Sequence, residues 1–86
     1  MNIQEITQAL LAKGVDVIGT IEEFYKHPAE QGLWIGAEGN GGKLFDYYRE
    51  DWIESGGVNP ELNKFVEDNG WYFEWYDTGT IFLIQD

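Results

Sequence analysis

Residues 71–84 constrain the fold of this chain more than any other segment. In Trp71-Tyr72-Phe73-Glu74-Trp75-Tyr76, large apolar side chains alternate with amphipathic and charged ones. Successive side chains of a strand point to opposite faces, so Trp71, Phe73 and Trp75 share one face and Tyr72, Glu74 and Tyr76 the other. Asp77-Thr78-Gly79 reads as the turn, with glycine supplying positive φ. The return segment Thr80-Ile81-Phe82-Leu83-Ile84 has no polar face at all. It must be covered on both sides, which places it centrally in a sheet.

The segments before the hairpin supply candidate partners. Residues 3–13 read as an amphipathic helix with Ile3, Ile6, Leu10 and Leu11 on one face. Asn2 and Glu5 have capping-box spacing, and Gly14 stands where a left-handed C-cap belongs. Val15 to His27 reads as a strand, rich in β-branched residues and ended by Pro28. Leu33 to Ala37 is a second strand. Gly39-Asn40-Gly41-Gly42 is a hairpin turn, and Lys43 to Tyr48 is the return strand. Arg49 to Ser55 reads as a short helix broken by Gly56-Gly57. Asn59, Pro60 and Glu61 then start a helix as N-cap, first helical residue and first-turn acid. Leu62, Phe65 and Val66 form its apolar stripe, and Gly70 closes it. The order α-β-β-β-(α)-α-β-β predicts an α+β fold: one domain over residues 1–86, an antiparallel sheet with helices packed on one face.

Charge constrains the partners. The chain has 86 residues with sixteen Asp and Glu against five Lys and Arg, a net charge of −11. Such a balance costs stability through self-repulsion. Four Trp, five Tyr and five Phe distinguish it from a disordered acidic tail. A carboxylate-covered core disfavours direct contact with DNA, RNA or an anionic membrane, and a basic protein surface is its natural complement. The chain lacks cysteine, which removes disulfides and thiolate chemistry. Its N-terminus lacks the basic region and apolar run of a signal peptide, and no apolar run approaches a membrane span, so the expected location is the cytoplasm.

Each catalytic motif has a plainer reading. Asp77-Thr78-Gly79 matches the aspartic-protease triplet, but one copy would need a homodimer, and too little chain follows Gly79 to bracket a site. Gly36 to Lys43 fails as a phosphate loop, with Ala37 where glycine is needed and Leu44 where Ser or Thr would hold magnesium. His27 is the sole histidine and Ser55 the sole serine, and neither sits in a nucleophile motif. Carboxylate pairs arise by chance in so acidic a chain, and no calcium-loop spacing occurs. The expected protein is therefore not an enzyme and needs no cofactor or metal. A small hydrolase built on Asp77 is a remote alternative.

Two features remain as candidate partner-binding surfaces. Asp46, Glu50 and Glu54 recur at i, i+4 and i+8, which on an α-helix makes one acidic edge, with Asp51 beside it. Glu61, Glu67, Asp68, Glu74 and Asp77 form a second acidic stretch. Rows of carboxylates can imitate a phosphate backbone, whereas the plainer role of such charge is solubility. Tyr72 and Tyr76 flank Glu74, and with Tyr47, Tyr48 and Trp52 they suit a protein interface unless a helix covers them. The candidate contacts are Asp46, Glu50, Asp51, Glu54, Glu61, Glu67, Asp68, Tyr72, Glu74 and Tyr76. Gly70 to Thr80, and more loosely Phe24-Tyr25-Lys26-His27-Pro28, resemble small accessory proteins of phages and prophages. That resemblance implies a protein that binds and disables a host protein, in the manner of acidic inhibitors of restriction or CRISPR nucleases. The expected function is docking on a basic protein surface as a nucleic-acid mimic. The alternative is an assembly module, including a homodimer, that binds through its Tyr/Trp face.

Overall fold

Two capping boxes organise the N-terminal third. Asn2 Oδ1 accepts from Glu5 N at 2.9 Å while Glu5 Oε1 accepts from Asn2 N at 3.0 Å, and this opens helix α1, Ile3–Ala12. Thr20 and Glu23 repeat the exchange at 3.1 and 2.9 Å and open α2, Ile21–Tyr25. The second box corrects the strand expected to run to His27. Strand β1 spans only Asp16–Thr20, because T-x-x-E at 20–23 satisfies the first amides of a helix turn more locally than a ladder would. In this computed structural model residues 1–39 and 42–86 are described. Asn40 and Gly41 of the expected turn lie outside them.

The sheet is antiparallel, with strands β1, β2 (Gly32–Gly36), β3 (Trp71–Asp77) and β4 (Thr80–Gln85) in the order β1-β2-β4-β3. Strand β4 lies inside the sheet, and Ile81, Phe82, Leu83 and Ile84 are all buried, as their unbroken apolar character requires. On one face Leu33, Ile35, Ile81, Leu83 and Trp71 pack against Ile6 and Leu10 of α1 and against Leu62 and Val66 of α3, Pro60–Asp68. Burying each such side chain contributes about 1.5–3 kcal/mol. On the other face Ile21 joins Phe82 and Ile84, with Phe24 and Trp34 packed against them. The α+β class is the one read from the sequence, and so is the element order apart from α2 and the segment 43–48. The two longer helices share one face, and the five-residue α2 covers part of the other.

Residues 43–48 do not form the expected return strand. Both sides of β2 are already taken, by β1 and β4. The segment turns instead toward residues 57–59. Asp46 N donates to Gly57 O and Asn59 N to Leu44 O, each at 2.8 Å, with a single bridge between Phe45 and Val58. Between these arms lies a 3₁₀ segment, Glu50–Ser55, kinked at Trp52. Gly56 and Gly57 end it with φ of +65° and +79°. Side chain Asn59 Oδ1 accepts from Glu61 N at 2.9 Å and Leu62 N at 3.2 Å, the cap expected of α3. Leu11, read as part of the α1 core face, is half exposed instead. Gly79 is not in the left-handed region. Its turn is held by Asp77 Oδ1, which accepts from Gly79 N at 2.9 Å. The nearest atom to a Cβ there would be Oε1 of the exposed Glu38 side chain, at 3.1 Å, which can shift aside.

Two outcomes are predicted. Gly57→Ala should cost more stability than Gly56→Ala in urea melts. A Cβ at 57 would lie 2.9 Å from Asp46 O, whereas one at 56 meets nothing within 4 Å. A strained residue costs about 1–3 kcal/mol, and the Gly57 site adds the backbone clash to it. Equal losses would show that residues 46 and 57 are not held together. Raising salt from about 10 mM to 500 mM should raise the melting temperature, because only two ion pairs offset the charge among the described residues. Relief of about 1 kcal/mol would give a 4–8 °C rise.

Candidate functional site

The 3₁₀ segment sorts its side chains differently from the expected α-helix. In 3₁₀ geometry residues three apart eclipse one another. Asp51 and Glu54 therefore point to one side, and Glu50 and Ile53 to another, and the two pairs line separate depressions. The expected edge Asp46-Glu50-Glu54 does not form. Asp46 precedes the segment, half buried, and its Oδ1 accepts from Tyr48 N at 3.1 Å.

The first depression is an acidic groove of about 260 Å³ between the 3₁₀ segment and α3. Asp51 and Glu54 line it from one side, Glu67 from the other, with Ser55, Asn63 and Lys64 between. Arg49 grips Asp51 in a fork, Nε to Oδ1 at 2.7 Å and Nη2 to Oδ2 at 3.2 Å. Lys64 Nζ holds Asp68 Oδ2 at 2.8 Å, and Asn63 Nδ2 donates to Glu67 Oε1 at 3.3 Å. Residues 49–68 contain six acids and two bases, a net charge of −4 in twenty residues, against −7 in the other 66. The charge density here is nearly twice that of the remainder. Arg49's hydrogen bond holds the Asp51 carboxyl below the ordinary aspartate value, against the opposing effect of desolvation.

The second depression is aromatic. Tyr47, Tyr48, Arg49, Glu50, Ile53 and Trp75 surround about 420 Å³ over Gly56 and Gly57. Tyr48 and Ile53 are 78% and 79% exposed. Trp52, expected to join an exposed aromatic face, is buried, with the Arg49 guanidinium 4.1 Å from its ring centre.

The ten candidate contacts do not share one surface. Asp51, Glu54 and Glu67 meet in the acidic groove, and Asp68 stands beside it through Lys64. Glu50 faces the aromatic pocket. Glu61 lies at a third site, a cleft with Lys13 and Leu44. Tyr72, Glu74 and Tyr76 occupy the opposite sheet face. There Tyr76 meets Phe24 edge to face at 4.8 Å, so α2 covers part of the expected Tyr face. Tyr72's hydroxyl is pushed above the ordinary tyrosine value, first by desolvation and then by Glu30, Glu74 and Asp86. Reading the sequence alone missed Ile53 and Trp75 as pocket walls, and the useful signal was the period of three in Glu50/Ile53 and Asp51/Glu54.

The residues weighed for catalysis have structural partners. Ser55 Oγ lies 2.6 Å from Val58 O, and His27 Nδ1 lies 3.0 Å from its neighbour Pro28 O. Among the described residues no three His, Asp or Glu side chains gather as a metal site, and no helix is long and apolar enough to cross a membrane. The chain matches no protein-family model, no curated protein and no solved structure.

A pH test follows from the Arg49 fork. The depressed carboxyl stabilises the fold above the ordinary aspartate value, and that contribution is lost as pH falls through the lowered one. In a carboxyl ¹³C titration Asp51 should therefore titrate below the ordinary value and return to it in Arg49→Met. An unchanged midpoint in the variant would remove the fork as the cause.

Proposed function

We propose that this chain is a non-enzymatic binding protein that docks its acidic groove on a basic surface of a nucleic-acid-handling protein. The observation that carries the reading is that Asp51, Glu54 and Glu67, from two separate elements, line one groove. Carboxylates held on short helical segments present negative charge at fixed spacing. Lys and Arg side chains evolved to grip phosphates can accept them instead. A net charge of −11 would steer the encounter and make it fast and salt-sensitive. Such a partner works in the cytoplasm, the compartment the sequence suggests. The resemblance to phage accessory proteins makes a host nuclease of restriction or CRISPR type a reasonable target.

The test is affinity capture from host lysate at low and high salt, with mass spectrometry of the eluate and then binding assays on what is captured. The reading predicts a nucleic-acid-binding protein that is released by salt and competed off by DNA or RNA. Glu54→Lys with Glu67→Lys should weaken that binding by about tenfold or more, because close charge pairs contribute about 1.5 kcal/mol or more each. Binding that ignores both salt and charge reversal, but is abolished by Tyr76→Ala, would refute it. The assembly-module reading would then stand, with the charge serving solubility.

A further inference from the structure

The aromatic pocket beside the acidic groove has the form of a cage for a cation. We infer that it receives an arginine side chain of the basic partner, against the rings of Tyr47, Tyr48 and Trp75 and the carboxylate of Glu50. The inference rests on the docking reading and names the anchor residue within it.

The ring geometry is the first argument. The Tyr47 and Trp75 centroids are 5.3 Å apart with planes at 86°, and those of Tyr47 and Tyr48 are 5.3 Å apart at 75°. Rings in edge-to-face contact touch one another and so wall one side of an open room of about 420 Å³. Gly56 and Gly57 put no side chains into that room. The walls are also tied in place before any ligand arrives. Trp75 Nε1 donates to Gly56 O at 2.6 Å, and Tyr48 N donates to Asp46 Oδ1 at 3.1 Å. Such preorganisation lowers the entropy lost on binding.

Charge selects the occupant. Glu50 lies in the lining, and an uncharged guest would bury its carboxylate without a partner. Anionic guests meet the net −4 of residues 49–68, and a second copy of the chain would bring another −11. The one cation in the lining among the described residues, Arg49, is already engaged by the Asp51 carboxylate and the Trp52 ring. A guanidinium fits better than an ammonium, because its plane stacks on aromatic faces while its edge forks to a carboxylate.

The experiment titrates the whole protein with a capped peptide carrying one arginine, and with the same peptide carrying neutral citrulline. Aromatic ¹H–¹³C spectra follow the rings. The arginine peptide should move the Tyr47, Tyr48 and Trp75 signals saturably, and citrulline should move them far less. Tyr48→Ala and Glu50→Gln should each weaken arginine binding by about 2- to 30-fold, with Tyr48→Phe retaining it. Tyr48 and Glu50 are exposed, so both variants should keep the wild-type melt. Glu54→Lys with Glu67→Lys should keep the ring shifts while losing the captured partner. Equal responses to arginine and citrulline, or shifts confined to the Asp51-Glu54-Glu67 groove, would overturn the cage and leave the docking reading in place.

Discussion

Strand β4 has no polar face, and the rest of the molecule answers that constraint. Ile81 and Leu83 need one cover, and Phe82 and Ile84 need another. The first comes from α1 and α3, which place Ile6, Leu10, Leu62 and Val66 over the sheet. The second comes from a much smaller element, one turn of helix that brings Ile21 and Phe24 over β4. A chain of 86 residues buries little more than about 60% of its unfolded surface, so each cover must be economical. Large aromatic side chains make this feasible. Trp71 fills the main core and also donates to Met1 O at 2.9 Å, tying the N-terminus to the start of β3.

The same constraint determines where the candidate binding surfaces lie. With β2 enclosed by β1 and β4, residues 42–59 cannot add a strand beside it. They cross to the start of α3 as a folded loop containing the 3₁₀ segment. Such a segment is too short to hide its side chains, so Glu50, Asp51, Ile53 and Glu54 all remain exposed. A period of three divides them between two depressions. One is acidic and shared with α3, and the other is aromatic and shared with β3. Under the proposed docking, their adjacency would let a single basic partner engage both, with salt-sensitive steering from the first and a specific anchor from the second.

Much of the fold was legible in the residues, and the gaps have identifiable causes. Unbroken apolar character marked β4 as internal, and Asn59-Pro60-Glu61 marked the start of α3. Each signal is local and has one structural solution. The strand expected at 43–48 failed because strand propensity says nothing about whether a neighbouring edge is free. The strand expected to reach His27 failed because β-branched residues drew attention from the capping box at Thr20 and Glu23. At the candidate site, the acids were identified but their grouping was not. An α-helical period aligns Glu50 with Glu54, whereas the observed turn aligns Asp51 with Glu54, and only the three-dimensional path brings Glu67 to them. Trp52 was misjudged for a similar reason. It stands between Asp51 and Ile53 in the sequence, but in space it is buried, with the Arg49 guanidinium over its ring.

The docking reading requires a local maximum of negative charge where the 3₁₀ segment meets α3. It can be measured without any partner. Paired cationic and anionic paramagnetic cosolutes report the electrostatic potential near each amide through their unequal relaxation effects. The account predicts the most negative potential at residues 51–54 and 63–68. An even potential over the molecule, or a deeper minimum on the face of Tyr72 and Glu74, would contradict it.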